Sequence, residues 1–278
     1  MAHTSIETEI HRVMAQLTNA EARAARALLA DYPRLGLAPV AEFAARAHTS
    51  AASVLRMIAQ LGLPSYPDFQ RRLRDELSER IKSPLDRASA LAPGVEPAFL
   101  SRFFERLEQN LHETAARLPE AEFEAVAAAI AGARGGVHLI GGRFTDPIAA
   151  YLNAHLRIVR ENVRKLEDRA ASRSDQLLDI GPRDVIVILD IRRYDPQLTR
   201  FASAARERRA QVLLITDTWI SPASRHARHV LPCAVDVGST WDSNAALFAL
   251  AEALIARVTE LSWDKAKARV EAKEVMEK

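Results

Sequence analysis

Five short apolar runs in the second half of the chain constrain its fold more than any other feature. They read VHLIG, NVRKLE, DVIVILD, AQVLLIT and HVLPC, and segments with helical periodicity separate most of them. Runs of Val, Ile and Leu without polar alternation are typical of parallel strands covered on both faces. Their alternation with helices predicts a doubly wound α/β domain with a parallel sheet.

The first half of the chain has a different pattern. From Ile6 to about Arg80, apolar residues recur at helical spacings with short turn signals between them, and no strand candidate is present. The segment from Lys82 to Pro97 then contains three prolines and one glycine without apolar periodicity, which indicates a connector. We therefore expect an all-α domain at residues 1–82, a linker at 83–97 and the α/β domain at 98–278.

The charge and cysteine content exclude several classes of protein. A formal net charge of +2 is too small to indicate nucleic-acid binding by the whole chain, so such binding must rest on local charge. The single cysteine, Cys233, excludes a disulfide framework and multi-cysteine zinc sites, and we expect no metal. The N-terminus has no signal-peptide pattern and no apolar stretch approaches ~20 residues, so we expect a cytoplasmic protein without a membrane partner.

The segment from Val40 to Gly62 predicts two helices joined by a tight turn. Its sequence, VAEFAARAHTSAASVLRMIAQLG, places the turn at Ala47 to Thr49, and the hydroxyl of Ser50 is suited to cap the second helix. Ala44 and Val54 allow the two helices to approach closely, and the predicted core residues are Phe43, Leu55, Ile58 and Leu61. This arrangement is typical of a helix-turn-helix.

The start of the second helix is the predicted DNA-contacting surface, because this part of a recognition helix meets the major groove. Between Arg46 and Arg74 there are five arginines and a single acid, Asp68, which makes the segment locally positive. The candidate DNA-binding residues are Thr49, Ser50, Ala51, Ser53, Arg56, Arg71 and Arg72. From spacing alone, an ordinary helical bundle with solvated arginines fits equally well.

A resemblance to a known family favours DNA binding. The segment from Leu17 to Leu77, with its LGLPSYPDFQ stretch, resembles the N-terminal domain of the RpiR/MurR family of bacterial transcriptional regulators. The second half resembles the sugar isomerase (SIS) domain of that family. Departures are His48 where glycine is usual, and Ala59 and Gln60 in place of a basic pair. The resemblance implies a non-enzymatic regulator with no catalytic residues, whose partners are a double-stranded DNA operator, a small-molecule effector and further copies of itself in a homodimer or homotetramer.

The turn GGRFTD after the first strand is the first candidate for a ligand site. Gly141 and Gly142 allow the backbone to approach a ligand, and amides at the following helix start can face an anion. The turn lacks the G-x-G-x-x-G pattern of dinucleotide sites, so we expect no cofactor. The resemblance implies that this turn holds the phosphate of a phosphosugar, with Thr145 supplying the hydroxyl of the family's serine.

A second turn, DIRRYDP from Asp190 to Pro196, stands where SIS domains generally have a serine-rich loop. The arginines of the two turns favour an anion, whereas Asp146, Asp190 and Asp195 repel one unless they pair with those arginines. The segments TDTWISPAS and GSTWDSNAAL resemble further pocket walls and add Thr216 and Ser221. The candidate ligand-binding residues are Gly141, Gly142, Arg143, Thr145, Asp190, Arg192, Arg193, Ser239, Asp242 and Ser243.

These observations predict a transcriptional regulator whose SIS-type domain senses a small anionic metabolite, such as a phosphosugar or a related acid. Three alternatives stay open at this point. The charged turns also fit a salt-bridge network that fills a vestigial pocket. A sugar-phosphate isomerase of the SIS type would need an acid and a base, for which His155 and Glu161 are candidates. A ligand-binding module would act through protein partners without DNA.

Overall fold

The chain divides into two compact units. The computed structural model describes residues 5–81, 83–90, 98–167 and 170–276. The first unit contains the chain up to Ala90 together with Thr218–Ile220, and the second contains Leu91–Asp217 and Ser221–Lys278. Among the described helices, none is both long and apolar enough to cross a membrane.

The first unit is helical, as its sequence pattern predicts. A 3-10 helix at Met14–Gln16 follows α1, and the α-helices are α1 Ile6–Val13, α2 Asn19–Ala30, α3 Arg34–Leu37, α4 Val40–Arg46, α5 Ala51–Gln60, α6 Tyr66–Ile81 and α7 Pro84–Ala90. A capping box begins α2, because the Thr18 side chain accepts from the Glu21 amide while the Thr18 amide donates to the Glu21 carboxylate. A buried carboxylate, Glu76 on α6, accepts from the Ile6 amide at 2.8 Å and from the Tyr32 hydroxyl, which joins three parts of the unit.

The core of the first unit corrects one prediction about α5. Phe43, Val54 and Ile58 are buried as expected. Leu55 is instead 44% exposed, and the fully buried Met57 takes its place in the core. The reason is the helical period: Val54, Met57, Ile58 and Leu61 share one face, and Leu55 is turned away from it.

The expected linker contains a helix. Ser83 and Asp86 form reciprocal contacts between backbone amides and side chains, at 2.8 and 3.1 Å, and these start α7. This local cap explains why seven residues of a segment without apolar periodicity are helical. Lys82 and residues 91–97 lie outside the described residues, so the domain boundaries remain a prediction.

The second unit contains the predicted parallel sheet. Its strands are β1 Val137–Gly141, β2 Val163–Lys165, β3 Val185–Asp190, β4 Gln211–Asp217 and β5 His229–Cys233, in the order β2-β1-β3-β4-β5. Every neighbouring pair is parallel, and Val137 is paired with both Val163 and Val185. The helices are α8 Phe99–Arg117, α9 Glu120–Ala131, α10 Asp146–Val159, α11 Ala170–Leu178, α12 Pro196–Glu207, α13 Ala245–Leu261 and α14 Trp263–Met276, with a 3-10 helix at Pro222–His226.

Strand β3 shows why its sequence lacks polar alternation. Val187 and Leu189 pack in the apolar cluster that includes α9, α10 and α13. Ile186 and Ile188 point to the opposite face, where they pack with residues of α12. Because both faces are covered, every position of the strand is buried and an apolar residue is favoured at each.

The junction of β1 and α10 leaves no room for a side chain at its first glycine. A Cβ on Gly141 would lie 2.4 Å from the Asp146 amide nitrogen and 2.6 Å from the Asp146 Cα. A Cβ on Gly142 would meet nothing closer than 3.6 Å. The close approach of helix and strand therefore depends on Gly141 alone of this pair.

We expect Gly141→Ala to lower the free energy of unfolding by about 1–3 kcal/mol, because the new methyl group clashes with backbone that cannot rotate away. Gly142→Ala is the matched control and should change it by less than about 1 kcal/mol. Urea denaturation of the full chain measures both. Equal losses in the two variants would contradict the packing described for this junction.

Candidate functional site

Helices α4 and α5 are joined by a turn of well-defined geometry. The His48 amide donates to the Ala45 carbonyl at 3.1 Å and the Thr49 amide to the Ala44 carbonyl at 3.0 Å, which is the Schellman pattern at a helix end. His48 has a φ of 49°, the left-handed conformation that glycine adopts most easily. The Ser50 hydroxyl then accepts from the Ser53 amide at 3.1 Å and caps α5, as predicted.

The solvent-facing side of α5 differs in part from the predicted one. Ser53 is only 4% exposed, and its hydroxyl lies 3.0 Å from the Ser50 hydroxyl, so it supports the cap instead of facing outward. The same helical period that buries the core residues leaves another row open to solvent. This row, called the α5 face below, consists of Ala52, Leu55, Arg56, Ala59 and Gln60. Ser50 is also exposed, and Thr49 and Ala51 are half-buried.

Arg56 is held in place on the α5 face. Its Nε lies 3.2 Å from the carboxylate of Glu21, and a terminal nitrogen donates to the Ser53 hydroxyl at 3.0 Å. Hydrogen bonds from the Thr18 amide, from the Thr18 hydroxyl and from Arg56 lower the pKa of Glu21, so its carboxylate is ionised beside the guanidinium. The Arg56 side chain is still 59% exposed, which leaves its remaining N–H groups available.

The two arginines predicted on α6 have different surroundings. Arg72 lies 2.6 Å from Glu9 and 3.8 Å from the buried Glu76, and its side chain is mostly covered. Its charge therefore stabilises the joint between α1 and α6, and a DNA contact by Arg72 stays a prediction. Arg71 is largely exposed and pairs with Asp68 one turn earlier in the helix.

In the second unit, the carboxyl ends of β1 and β3 mark the point where the strand order reverses. Ligands of doubly wound sheets bind outside such switch points. Three loops meet there, residues 142–145, 190–195 and 236–244, and they are called the strand-end site below.

The first of these loops uses its predicted ligand groups internally. The Thr145 hydroxyl donates to the Leu189 carbonyl at 2.6 Å and accepts from the Gly142 amide at 2.8 Å, and Thr145 is only 1% exposed. The Gly142 amide also lies 3.0 Å from the Leu189 carbonyl. Thr145 thus fastens the turn to β3 and does not face a ligand, contrary to the prediction. The amides of Arg143 and Phe144 donate no hydrogen bond to any described residue.

The second loop begins with a buried acid. Asp190 is almost fully buried, accepts from the Ser221 hydroxyl at 2.5 Å and accepts from the Asp195 amide at 3.2 Å. Burial is the main cause that raises the pKa of Asp190 to about 7. Thr216 donates to the Asp190 carbonyl at 2.6 Å and accepts from the Ser221 amide at 3.1 Å. These two hydroxyl residues therefore support Asp190 within the protein.

Arg192 is a buried cation that is only partly satisfied. One terminal nitrogen lies 2.7 Å from Asp242 and 3.4 Å from Asp236, and the side chain is 3% exposed. The other two guanidinium nitrogens, Nε and Nη1, are buried without a hydrogen-bond partner among the described residues. Arg192 thus pairs with aspartates of the third loop, and not with Asp146, Asp190 or Asp195 as the sequence suggested.

Exposed aromatic rings and arginines surround this buried pair. Phe144 and Trp241 meet edge to face with ring centroids 5.8 Å apart, and both are about half exposed. The guanidinium of Arg193 lies 5.6 Å from the Phe144 ring and 5.8 Å from the Trp241 ring, and that of Arg143 lies 5.4 Å from Phe144. Arg193 has a φ of 64°, a conformation that non-glycine residues adopt mainly where the surrounding structure requires it.

Two further predicted residues have local structural roles. The Ser243 hydroxyl accepts from the Ala245 amide at 3.2 Å at the start of α13, and the Ser239 hydroxyl accepts from the Trp241 amide at 3.4 Å. Trp241 and Phe144 were missed in the sequence because aromatic residues in loops give no periodic signal. The short TWDSN segment that carries Trp241 was the available cue.

The acid and base considered for an isomerase lie away from the strand-end site. Glu161 precedes β2, near the amino ends of the strands, whereas the strand-end site is at their carboxyl ends. His155 lies in the second half of α10, where its ring contacts that of Tyr151 at 4.6 Å.

Comparisons with known proteins agree with the fold of the second unit. Residues 130–257 match the family model of the SIS domain, so the chain contains an SIS domain. The sugar isomerase domain of an RpiR transcription factor from Sphaerobacter thermophilus is 22% identical over 64% of this chain and 99% of that one, with a TM-score of 0.60. No curated protein sequence matches the chain.

Two other solved structures share the fold at lower identity. The NanR protein of Vibrio vulnificus, complexed with ManNAc-6P, is 16% identical over 98% of both chains, with a TM-score of 0.55. The c3406 protein of E. coli CFT073 is 15% identical over 58% of this chain and 88% of that one, with a TM-score of 0.50. At such identities these likenesses show the fold alone.

The buried carboxyl of Asp190 predicts how the stability of the protein depends on pH. With a pKa of about 7 in the folded protein against an ordinary 3.8, Asp190 keeps a proton that the unfolded chain loses between these values. The stabilisation that comes from the protonated Asp190 carboxyl is therefore fully present below pH 3.8 and is lost as the pH rises to about 7. Asp190→Asn keeps the shape and cannot ionise. As the pH rises through this range, the free energy of unfolding of the variant should increase relative to that of the wild type by at most about 1.4 kcal/mol per pH unit.

Urea denaturation of both proteins at several pH values measures this difference. Asp179→Asn, at an aspartate that is exposed in the loop before β3, is the control and should give a curve parallel to the wild type. A difference between Asp190→Asn and the wild type that does not change with pH would contradict the protonated state of Asp190.

Proposed function

We propose that this protein is a DNA-binding transcriptional regulator whose SIS domain binds a small anionic metabolite. The observation that carries the first part is the α5 face, an exposed row on a short, capped helix that a Schellman turn joins to α4. Such geometry supports a recognition helix. The likeness in fold to NanR over almost the whole chain supports the same conclusion.

The α5 face has the chemistry to read base edges. Arg56 keeps free N–H groups for a guanine edge or a phosphate. Leu55 exposes apolar surface that the core does not need, and such surface suits the methyl group of thymine. Two recognition helices must match half-sites about 34 Å apart, so the active form is a homodimer or a tetramer built from such dimers.

The strand-end site has the chemistry to hold an anion that carries a ring. The two unpaired nitrogens of Arg192, the free amides of Arg143 and Phe144 and the guanidinium of Arg193 are all donors. Phe144 and Trp241 offer apolar surface to the ring of a sugar. A protonated Asp190 avoids repulsion of the anion. We therefore propose a phosphosugar or a related sugar acid, the class that includes the ManNAc-6P bound by NanR.

Binding of the ligand and binding of DNA would be coupled through the homo-oligomer. A metabolite changes DNA binding only if its affinity differs between two arrangements of the protein. The SIS domain supplies the ligand contacts and the helical unit the DNA contacts, so the coupling free energy is the quantity to measure.

An SIS-type sugar-phosphate isomerase is the alternative, and one observation favours it. Asp190 has a pKa of about 7, mainly through burial, which suits a general acid or base. Both of its oxygens are nevertheless engaged, by Ser221 and by the Asp195 amide. Aldose-ketose exchange followed by NMR that is abolished in Asp190→Asn would establish the enzyme in place of the sensor.

Leu55→Ala should weaken binding to the operator by about 1–3 kcal/mol because it removes a base contact, and Arg56→Ala should do the same if Arg56 reads a base and not a phosphate. Leu55→Ala should leave the melting temperature nearly unchanged, since Leu55 is not in the core. Fluorescence anisotropy with fragments of the gene's own promoter region measures affinity, and Arg34→Ala, at an exposed position on α3, is the control for charge. Variants that bind every fragment as the wild type does would contradict the role of the α5 face.

Sugar phosphates and sugar acids should raise the melting temperature of the full chain, whereas the matching neutral sugars should not. A ligand at a hundredfold excess over its Kd stabilises the folded state by about 2.7 kcal/mol. Arg193→Gln should reduce this shift, because it removes a cation at the mouth of the site. The control Arg200→Gln removes an exposed cation on α12 and should not reduce it. Shifts that are identical in both variants would place the ligand elsewhere.

A further inference from the structure

The outer edge of the sheet carries an open groove of about 580 Å³ that shares no residue with the strand-end site. Its walls come from the end of α10, from β2 with the loop before it, and from α14. The charged side chains that line it are Arg157, Arg160, Glu161, Arg164, Lys165 and Arg269. Five cations and one carboxylate thus face a single concave surface in a chain whose net charge is +2.

Two of the cations have structural roles within the second unit. Arg160 donates to the carbonyls of Ala133 and Gly135 at 3.0 and 3.1 Å, and also to the carbonyl of Ile130. Lys165 lies 2.8 Å from the carboxylate of Asp146. These contacts explain both residues without any ligand.

The other three guanidinium groups are not neutralised by an acid of any described residue. Arg157, Arg164 and Arg269 are exposed, and none of them forms an ion pair with a described residue. Arg269 donates one N–H to the Arg157 carbonyl at 3.0 Å, which holds α14 against the end of α10 and brings two of the cations together. A charge on an edge strand discourages sheet extension and accounts for Arg164, but not for Arg157 and Arg269 on two helices.

We propose that this groove binds a small anion that carries at least two phosphate groups. Guanidinium groups match phosphate oxygens in paired hydrogen bonds, and several phosphates would offset the mutual repulsion of the three arginines. The volume lies within the range of about 300–1,000 Å³ that is usual for sites of small molecules. A bounded groove on one sheet edge favours a metabolite over a nucleic acid, which needs a longer cationic track.

The experiment titrates inorganic pyrophosphate into the full-length protein by calorimetry at near-physiological ionic strength. We expect saturable binding with one site per chain. The double variant Arg164→Gln/Arg269→Gln should raise the Kd at least about tenfold, whereas Arg200→Gln, which removes an exposed cation on α12, should leave it unchanged. Arg193→Gln, in the strand-end site, reports whether pyrophosphate binds there instead. If the double variant does not fold, Arg164→Gln alone serves, since its side chain forms no hydrogen bond with a described residue.

Three results would overturn the proposal. The first is the absence of binding to pyrophosphate. The second is a Kd that stays the same in the groove variants, or that rises only in Arg193→Gln, because the anion would then be bound elsewhere. The third is a wild-type protein that binds a random DNA duplex which pyrophosphate does not displace, together with groove variants that lose this binding. That result would make the groove a nucleic-acid surface. Because the test uses neither an operator nor a sugar, its failure leaves the proposed function untouched.

Discussion

The strand-end site depends on how closely the turn after β1 fits against the end of β3. Gly141 lets α10 approach the strand because it has no side chain, and the Thr145 hydroxyl and the Gly142 amide both reach the Leu189 carbonyl. This fastening brings the first and second loops of the site together. It also consumes the hydroxyl that a phosphate would otherwise meet, so recognition must use other groups.

Those groups are charged, and the acid and the arginine among them have different surroundings. Asp190 is buried, bonded to Ser221 and has a pKa of about 7, mainly because it is desolvated, so near neutral pH part of the population carries no charge there. Arg192 is buried beside the carboxylate of Asp242 and keeps two unpaired nitrogens. A buried donor without a partner costs about 1–3 kcal/mol, a cost that a bound anion would remove. This is the physical ground on which we prefer a ligand site to a vestigial pocket.

The predictions from sequence succeeded where a single element decides the outcome and were wrong where the tertiary contacts decide. The apolar runs predicted β3 and β4, because burial on both faces leaves a direct trace in the sequence, and the other three candidate segments also contain strands. The cap at Ser50 is also local and is confirmed. Ser53 and Leu55 were misassigned, since the register of α5 depends on packing, and the partners Glu9 and Glu76 of Arg72 could not be predicted for the same reason. Thr145 was assigned to a ligand because its partner, Leu189, is 44 residues away.

The central claim is that the α5 face lies against DNA, and site-directed cross-linking tests it most directly. Ala52 is exposed on that face, and Cys233 is fully buried, so Ala52→Cys introduces the one accessible thiol among the described residues for a photoactivatable reagent. Arg200→Cys on α12 is the control. The account predicts cross-links from position 52 to bases of the bound promoter fragment and none from position 200. Bound DNA that cross-links equally from both positions, or from neither, would contradict it.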